Sequence, residues 1–137
     1  MLRPGDGTSY TVRITKAIID SFTLMVGDEN PIHYDPNDAQ TAHVRAKLGI
    51  TDAGAPGTLV TAFISRPLQR FGGKNTIVLG ELGVLRFVKS IQAGDELTIR
   101  CIVEESLSSW RYRVAVLFKN QKGEDVVQPT YAIIFVF

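Results

Sequence analysis

The chain has 137 residues, 45% of them hydrophobic and 21% charged, with a formal net charge of +1. That size suits one domain spanning residues 1–137, a length that buries about two-thirds of its unfolded surface around one core. A charge so near zero gives no electrostatic case for nucleic acid or for an anionic membrane. Cys101 is alone, which excludes an internal disulfide and fits a reducing, cytoplasmic setting. Met1 to Tyr10 is polar and Gly-rich, with no apolar run suited to a signal peptide. No stretch approaches the roughly 20 apolar residues of a membrane span.

Leu2 to Gly7 reads as a loop, and Tyr10 to Ile14 as a short alternating, β-branched strand. Thr15 is placed to cap a helix over about Lys16 to Val26, where Ile18, Ile19, Phe22, Met25 and Val26 recur at helical spacing. Gly27 tolerates positive φ and ends that helix. Pro31 then lacks an N–H and biases Asn30 away from the helical region, so no single helix crosses the segment. Asp28 and His33 therefore lie on two arms of a bend, free to aim at one point. A carboxylate and an imidazole that converge hold a water and exchange protons with it. A polar loop of this composition is also what a plain turn looks like. Asp28, Asn30, His33 and Asp35 are metal-ligand types as well. The calcium-loop pattern, however, asks for Gly and Glu where this chain has His33 and Ala39, so no metal is expected.

Asp35-Pro36 reads as a second helix start, with Asp35 as N-cap and Pro36 at the first helical position, running to about Leu48. Capping accounts for Asp35 without chemistry. His43 lies beside Arg45 and Lys47, and a lone helical His among basic residues reads as a solvated surface group. Gly49 to Gly57 reads as a flexible approach to the next element. From Thr58 to about Arg70, Leu59, Val60, Ala62, Phe63 and Ile64 cover more than one stripe, the mark of a buried helix. Pro67 should kink or end its last turn. Gly57, at the start of that helix, is either a plain turn residue or a free N–H at a positive helix end.

The period then changes. Thr76 to Val88 reads as a strand with close backbone approach or a bulge at Gly80 and Gly83. In Glu96 to Glu104, Leu97, Ile99, Cys101 and Val103 alternate with polar residues; in Trp110 to Lys119, Trp110, Tyr112, Val114, Val116 and Phe118 do so. In Val126 to Phe137 one face carries Val127, Tyr131, Ile133, Phe135 and Phe137. Ala132, Ile134 and Val136 make the second face apolar too, which suggests cover by a partner subunit. Short connections make the late strands an antiparallel meander, and Pro129 implies an edge or a bulge. A curved sheet wrapped around one hydrophobic helix satisfies the burial demands of both. This is an α+β architecture, the hot-dog fold.

The string Gly-Asp-x-Asn-Pro-x-His-x-Asp over Gly27–Asp35 resembles the signature of the MaoC-like hydratase/dehydratase family, which includes (R)-specific enoyl-CoA hydratases. Leu85-Arg86-Phe87 and Gly94-Asp95 are similar to the family's later strand and turn. The family's His-Gly-Met-like turn corresponds to Pro56-Gly57-Thr58, with Gly kept and Pro56 and Thr58 replacing His and Met. The resemblance implies the hot-dog fold, Asp28 and His33 as catalytic pair, and Gly57, Asn30 and Thr58 as substrate-binding positions. It further implies reversible hydration of a 2-enoyl thioester carried on CoA or acyl-carrier protein, without a cofactor, by a homodimer or a higher assembly. Rival readings are a thioesterase on the same fold, the silent half of a heteromeric dehydratase, and a small-molecule binding module. Arg66, Arg70 and Lys74 are candidates for phosphate contacts or a solvated helix end.

Overall fold

The computed structural model describes residues 1–137. In chain order the elements are β1 (Gly7–Arg13), α1 (Lys16–Val26), α2 (Ala42–Leu48), α3 (Gly57–Ala62), α4 (Ser65–Arg70), β2 (Ile77–Leu82), β3 (Glu96–Ser108), β4 (Arg111–Asn120) and β5 (Asp125–Val136). Short 3₁₀ turns at Pro31–His33 and Ala39–Thr41 separate α1 from α2. The strands form one antiparallel sheet in the order β1-β3-β4-β5-β2. The helices, inserted between β1 and β2 in sequence, fill its concave side as the hot-dog fold requires.

Alternation sets the sheet's inner face. Leu97, Ile99, Cys101 and Val103 on β3, with Tyr112, Val114, Val116 and Phe118 on β4, are all buried. They pack with Leu59, Val60, Ile64 and Leu68 of the central helical segment in one cluster. Each such side chain contributes about 1.5–3 kcal/mol relative to exposure. Trp110 departs from the pattern: it precedes β4 and is half-exposed, 5.3 Å from Phe135 and 5.6 Å from Phe137 between ring centroids.

On β5 the faces exchange partway along the strand. Val127 is buried as expected, but beyond it Ala132 and Ile134 are fully buried and Val136 packs on the core, whereas Tyr131, Phe135 and Phe137 look outward and Ile133, on their side, is still buried. The cause is a bulge. Val127 pairs with Phe118 but Thr130 with Val116, so Gln128-Pro129 supplies one residue too many. One extra residue inverts every later side chain. Pro129 thus sits at a bulge in an interior strand, where it need not donate to the ladder. Ala132 and Ile134 are covered by the chain's own core and need no partner.

Glycine creates the matching irregularity on β2. The register slips between Leu79 and Glu81, and a Cβ on Gly80 would stand 2.6 Å from the Phe135 ring. β2 ends at Leu82, short of the expected Val88; beyond it Phe87 bridges Val127, and Gly83 N donates to Tyr131 O and Val88 N to Val126 O, each at 2.8 Å.

Four further expectations are corrected. Asp35 caps no helix: its Oδ1 accepts from Asn37 N at 2.9 Å, and Asp38 then accepts from Gln40 N at 3.1 Å, so two Asx turns delay α2 to Ala42. The central helix is broken at Phe63–Ile64 rather than in its last turn. Pro67 falls in the first turn of α4, where its missing N–H is harmless but its ring excludes the helical carbonyl of Phe63. Thr58 and Ala62 lie exposed, so that helix is not buried all round. On α1, likewise, Leu24, Met25 and Val26 are exposed and Ile19 carries the burial.

Candidate active site

The site begins where α1 stops. Gly27 takes φ 73°, and the N–H groups of Gly27 and Asp28 both return to the carbonyl of Thr23. Asp28 thus leaves the helix at a fixed angle. Its Oδ1 accepts from Asn30 N at 3.0 Å, and Asn30 Oδ1 accepts from Ile32 N at 3.3 Å. That second bond caps the 3₁₀ turn Pro31–His33, with Pro31 at its first position. The turn swings His33 inward, where it is buried.

His33 and Asp28 meet. Nε2 of His33 lies 3.3 Å from Oδ2 of Asp28, and the imidazole is only 10% exposed against 30% for the carboxylate. Solvent therefore reaches the pair from the Asp28 side. Nδ1 of His33 lies 2.7 Å from the carbonyl oxygen of Gly54. A carbonyl only accepts, so Nδ1 is the donor of that bond, and Nε2 is the nitrogen turned toward the Asp28 carboxylate.

Three residues that sequence reasoning gave no role hold this geometry. Gly54 supplies the acceptor for His33, and its N–H donates to Ile32 O at 3.0 Å. The stretch around it is tied down, not flexible: Gly54 bridges Gln92 and Ala55 N donates to Ile91 O at 2.8 Å. Tyr34 donates its hydroxyl to the carbonyl of Asp28. Arg45 is buried and binds carbonyls on both sides of His33, while His43 beside it is exposed as expected. The only sequence hint for Arg45 was a hydrogen-bonding Thr41 one helical turn earlier.

Gly57 opens α3, three residues after Gly54, and its N–H has no acceptor within the chain. A Cβ there would come within 2.9 Å of the Phe87 ring, so the ring lies directly over the glycine. The side chain of Thr58 is exposed beside it, and that of Asn30 is occupied in capping Ile32 N through its oxygen. Two surface clefts, of about 680 and 250 Å³, are lined by neither Asp28 nor His33. The larger one reaches the site's outer wall through Ile50, which touches Gly54, and Phe87, which covers Gly57. Arg66 and Arg70 both stack on the Tyr10 ring, at 5.8 and 5.6 Å, and Arg70 also binds Ser9 O, so they fasten α4 to β1. No group of three or more His, Cys, Asp or Glu comes together as a metal site would require. Burial pushes the Cys101 thiol up to about 12, far from nucleophilic use.

The family model described as "MaoC like domain" matches residues 5–124. The chain belongs to the MaoC-like hydratase/dehydratase family. Among solved structures, this MaoC-like chain is similar to the unliganded R-hydratase PhaJ1 from Pseudomonas aeruginosa, with 29% identity, a TM-score of 0.81, and coverage of 98% of this chain and 81% of that one. It also shares its fold with the (R)-hydratase from A. caviae involved in PHA biosynthesis, at 20% identity, TM-score 0.81 and coverage of 98% and 96%. The C-terminally truncated HadBC (3R-hydroxyacyl-ACP dehydratase) complex from Mycobacterium tuberculosis matches at 22% identity, TM-score 0.71 and coverage of 96% of each chain. Comparison with curated protein sequences gave no match. No helix of this MaoC-like chain is long and apolar enough to cross a membrane.

Proposed function

We propose that this MaoC-like chain is a hydro-lyase that reversibly hydrates a 2-enoyl thioester to a 3-hydroxyacyl thioester, with Asp28 and His33 as its catalytic pair. One observation carries the reading: Nδ1 of His33 is committed to Gly54 O, which leaves Nε2 facing the Asp28 carboxylate at 3.3 Å. A water bound across the two donates one hydrogen to each. As its oxygen bonds to C3 of the enoyl group, one of the pair takes the proton, and a proton returns from the pair to C2. Both arrive from the face where the water sat, so the addition is syn. A positioned acid or base contributes about 10²–10⁴-fold.

The electron pair displaced from the alkene builds charge on the thioester oxygen. The free N–H of Gly57 is the donor we assign to it, supported by its lack of any partner in the chain. Thr58 is assigned to the acyl-thioester path beside it. Asn30 serves substrate binding through the bend it fixes, by its cap on Ile32 N. The carrier is CoA or acyl-carrier protein. We take residues 1–137 as one catalytic domain acting as a homodimer, which light scattering at micromolar concentration checks; a monomer there removes that part of the reading.

The test sets hydration of crotonyl-CoA and longer enoyl-CoA chains, with a chiral readout of the 3-hydroxy product, against hydrolysis of saturated acyl-CoA. Hydration supports the proposal. Hydrolysis alone turns the protein into a hot-dog thioesterase, and neither activity moves it to a silent subunit of a heteromeric dehydratase.

A further inference from the structure

Arg45 poses a problem of its own. It is 5% exposed, yet none of the chain's ion pairs includes it. A buried charge is costly unless its donors are satisfied. Here backbone oxygens satisfy them. Nη2 donates to Ile32 O at 3.0 Å and to Asp35 O at 2.8 Å, and Nη1 donates to Asp52 O. Nε donates to Thr41 Oγ1 at 3.1 Å, which orients the fork from the same side of α2.

The choice of carbonyls is informative. Ile32 and Asp35 bracket His33 in sequence. Asp52 lies two residues before Gly54, whose carbonyl oxygen accepts the hydrogen bond from His33 Nδ1 at 2.7 Å. Ile32 O accepts from Gly54 N as well as from Arg45. One guanidinium thus joins the turn that carries the imidazole to the segment that carries its acceptor.

We infer that Arg45 is a positioning residue of the Asp28–His33 site: its fork holds the histidine turn against Asp52–Gly54 and thereby fixes which imidazole nitrogen keeps the proton. If the two segments slip, the Nδ1 proton loses its acceptor and can move to Nε2. An Nε2–H would then face the Asp28 carboxylate directly and close the space offered to water. Lysine cannot take over the task. Its ammonium is a compact point charge, whereas three carbonyls in different directions need the planar fork. The inference rests on the reading that the pair acts on a bound water, but the tautomer itself can be observed without any substrate.

The experiment uses the full chain with ¹⁵N-labelled histidine. The chain has two histidines, and His43→Gln leaves only the signal of His33. In mildly alkaline solution the parent should show a single Nδ1–H tautomer. Arg45→Lys should show a mixture of tautomers, with kcat down about a hundredfold, as expected for a misplacement near 1 Å, and KM within about twofold. Guanidinium ion added to Arg45→Ala should restore part of the tautomer and part of the turnover. Thr41→Val, which removes only one partner of the fork, should give a smaller shift of the same kind and keeps the test open if Arg45→Ala does not fold. An unchanged His33 tautomer in folded Arg45→Lys and Thr41→Val overturns the inference, as does a loss of turnover that follows only the unfolded fraction. A parent inactive on enoyl thioesters would defeat the hydratase reading, and the tautomer would still decide the role of Arg45.

Discussion

From Leu97 to Val103 and from Tyr112 to Phe118, every second side chain is buried; from Asp28 to Asp35, only His33 is. The sheet is held by apolar area, which has no direction and tolerates imprecise placement. The loop buries little and is held by directed bonds: Asp28 to Asn30 N, Asn30 to Ile32 N, Tyr34 to Asp28 O, Arg45 to Ile32 O and Asp35 O. The difference separates stability from chemistry. Damage to the sheet should cost folding free energy at constant turnover per folded molecule, and damage to the loop the reverse.

Phe118→Ala on the sheet should be the harshest break. Truncating a fully buried Phe costs about 3–5 kcal/mol, seen as a fall in Tm, while kcat per folded molecule stays at the parent value. Asp28→Asn and His33→Ala test the other side. Each should lower kcat at least about a hundredfold, or roughly 2.7 kcal/mol, with Tm nearly unmoved; near-normal turnover in either would end the catalytic assignment.

Gly57→Ala probes where the two regions touch. The new Cβ meets the Phe87 ring at 2.9 Å, so the half-exposed ring must move and the N–H donor shifts with it. Turnover should fall about tenfold, within the 1–3 kcal/mol typical of overpacking, and Phe87→Leu in the same chain should recover part of it. If Gly57→Ala is silent, the glycine is only a turn.

A gentler test of the sheet uses pH. Cys101 is fully buried on β3 and its pKa is raised from 9.0 to about 12. The unfolded chain ionises this thiol first, so its contribution to stability is complete below pH 9 and disappears as pH rises toward 12. Urea midpoints should therefore drop over that window less in Cys101→Ala than in the parent, each relative to its own value at neutral pH. Below pH 9 the parent thiol should react with a disulfide reagent only after unfolding.

Much of this contrast was legible in the residues themselves. Period-2 alternation identified the inner faces of β3 and β4, because a pleated strand leaves no other way to bury Leu97 or Phe118. Gly27 and Pro31 announced a bend, since one ends a helix and the other cannot continue it. Local rules failed where two choices were locally equal. β5 is apolar on both faces, and only the surplus residue at Gln128-Pro129, measured against β4, selects Ala132 and Ile134 for the core.

The sequence by itself determined the meander, the central helical segment and the presence of an acid and an imidazole on one tight bend, since these follow from preferences that act over a few neighbouring residues. Tertiary structure alone decided that His33 donates a hydrogen bond from Nδ1 to a carbonyl 21 positions away and that Arg45 is buried against the carbonyls on either side of that histidine. Such hydrogen bonds depend on where distant backbone comes to rest, and no local propensity carries that information.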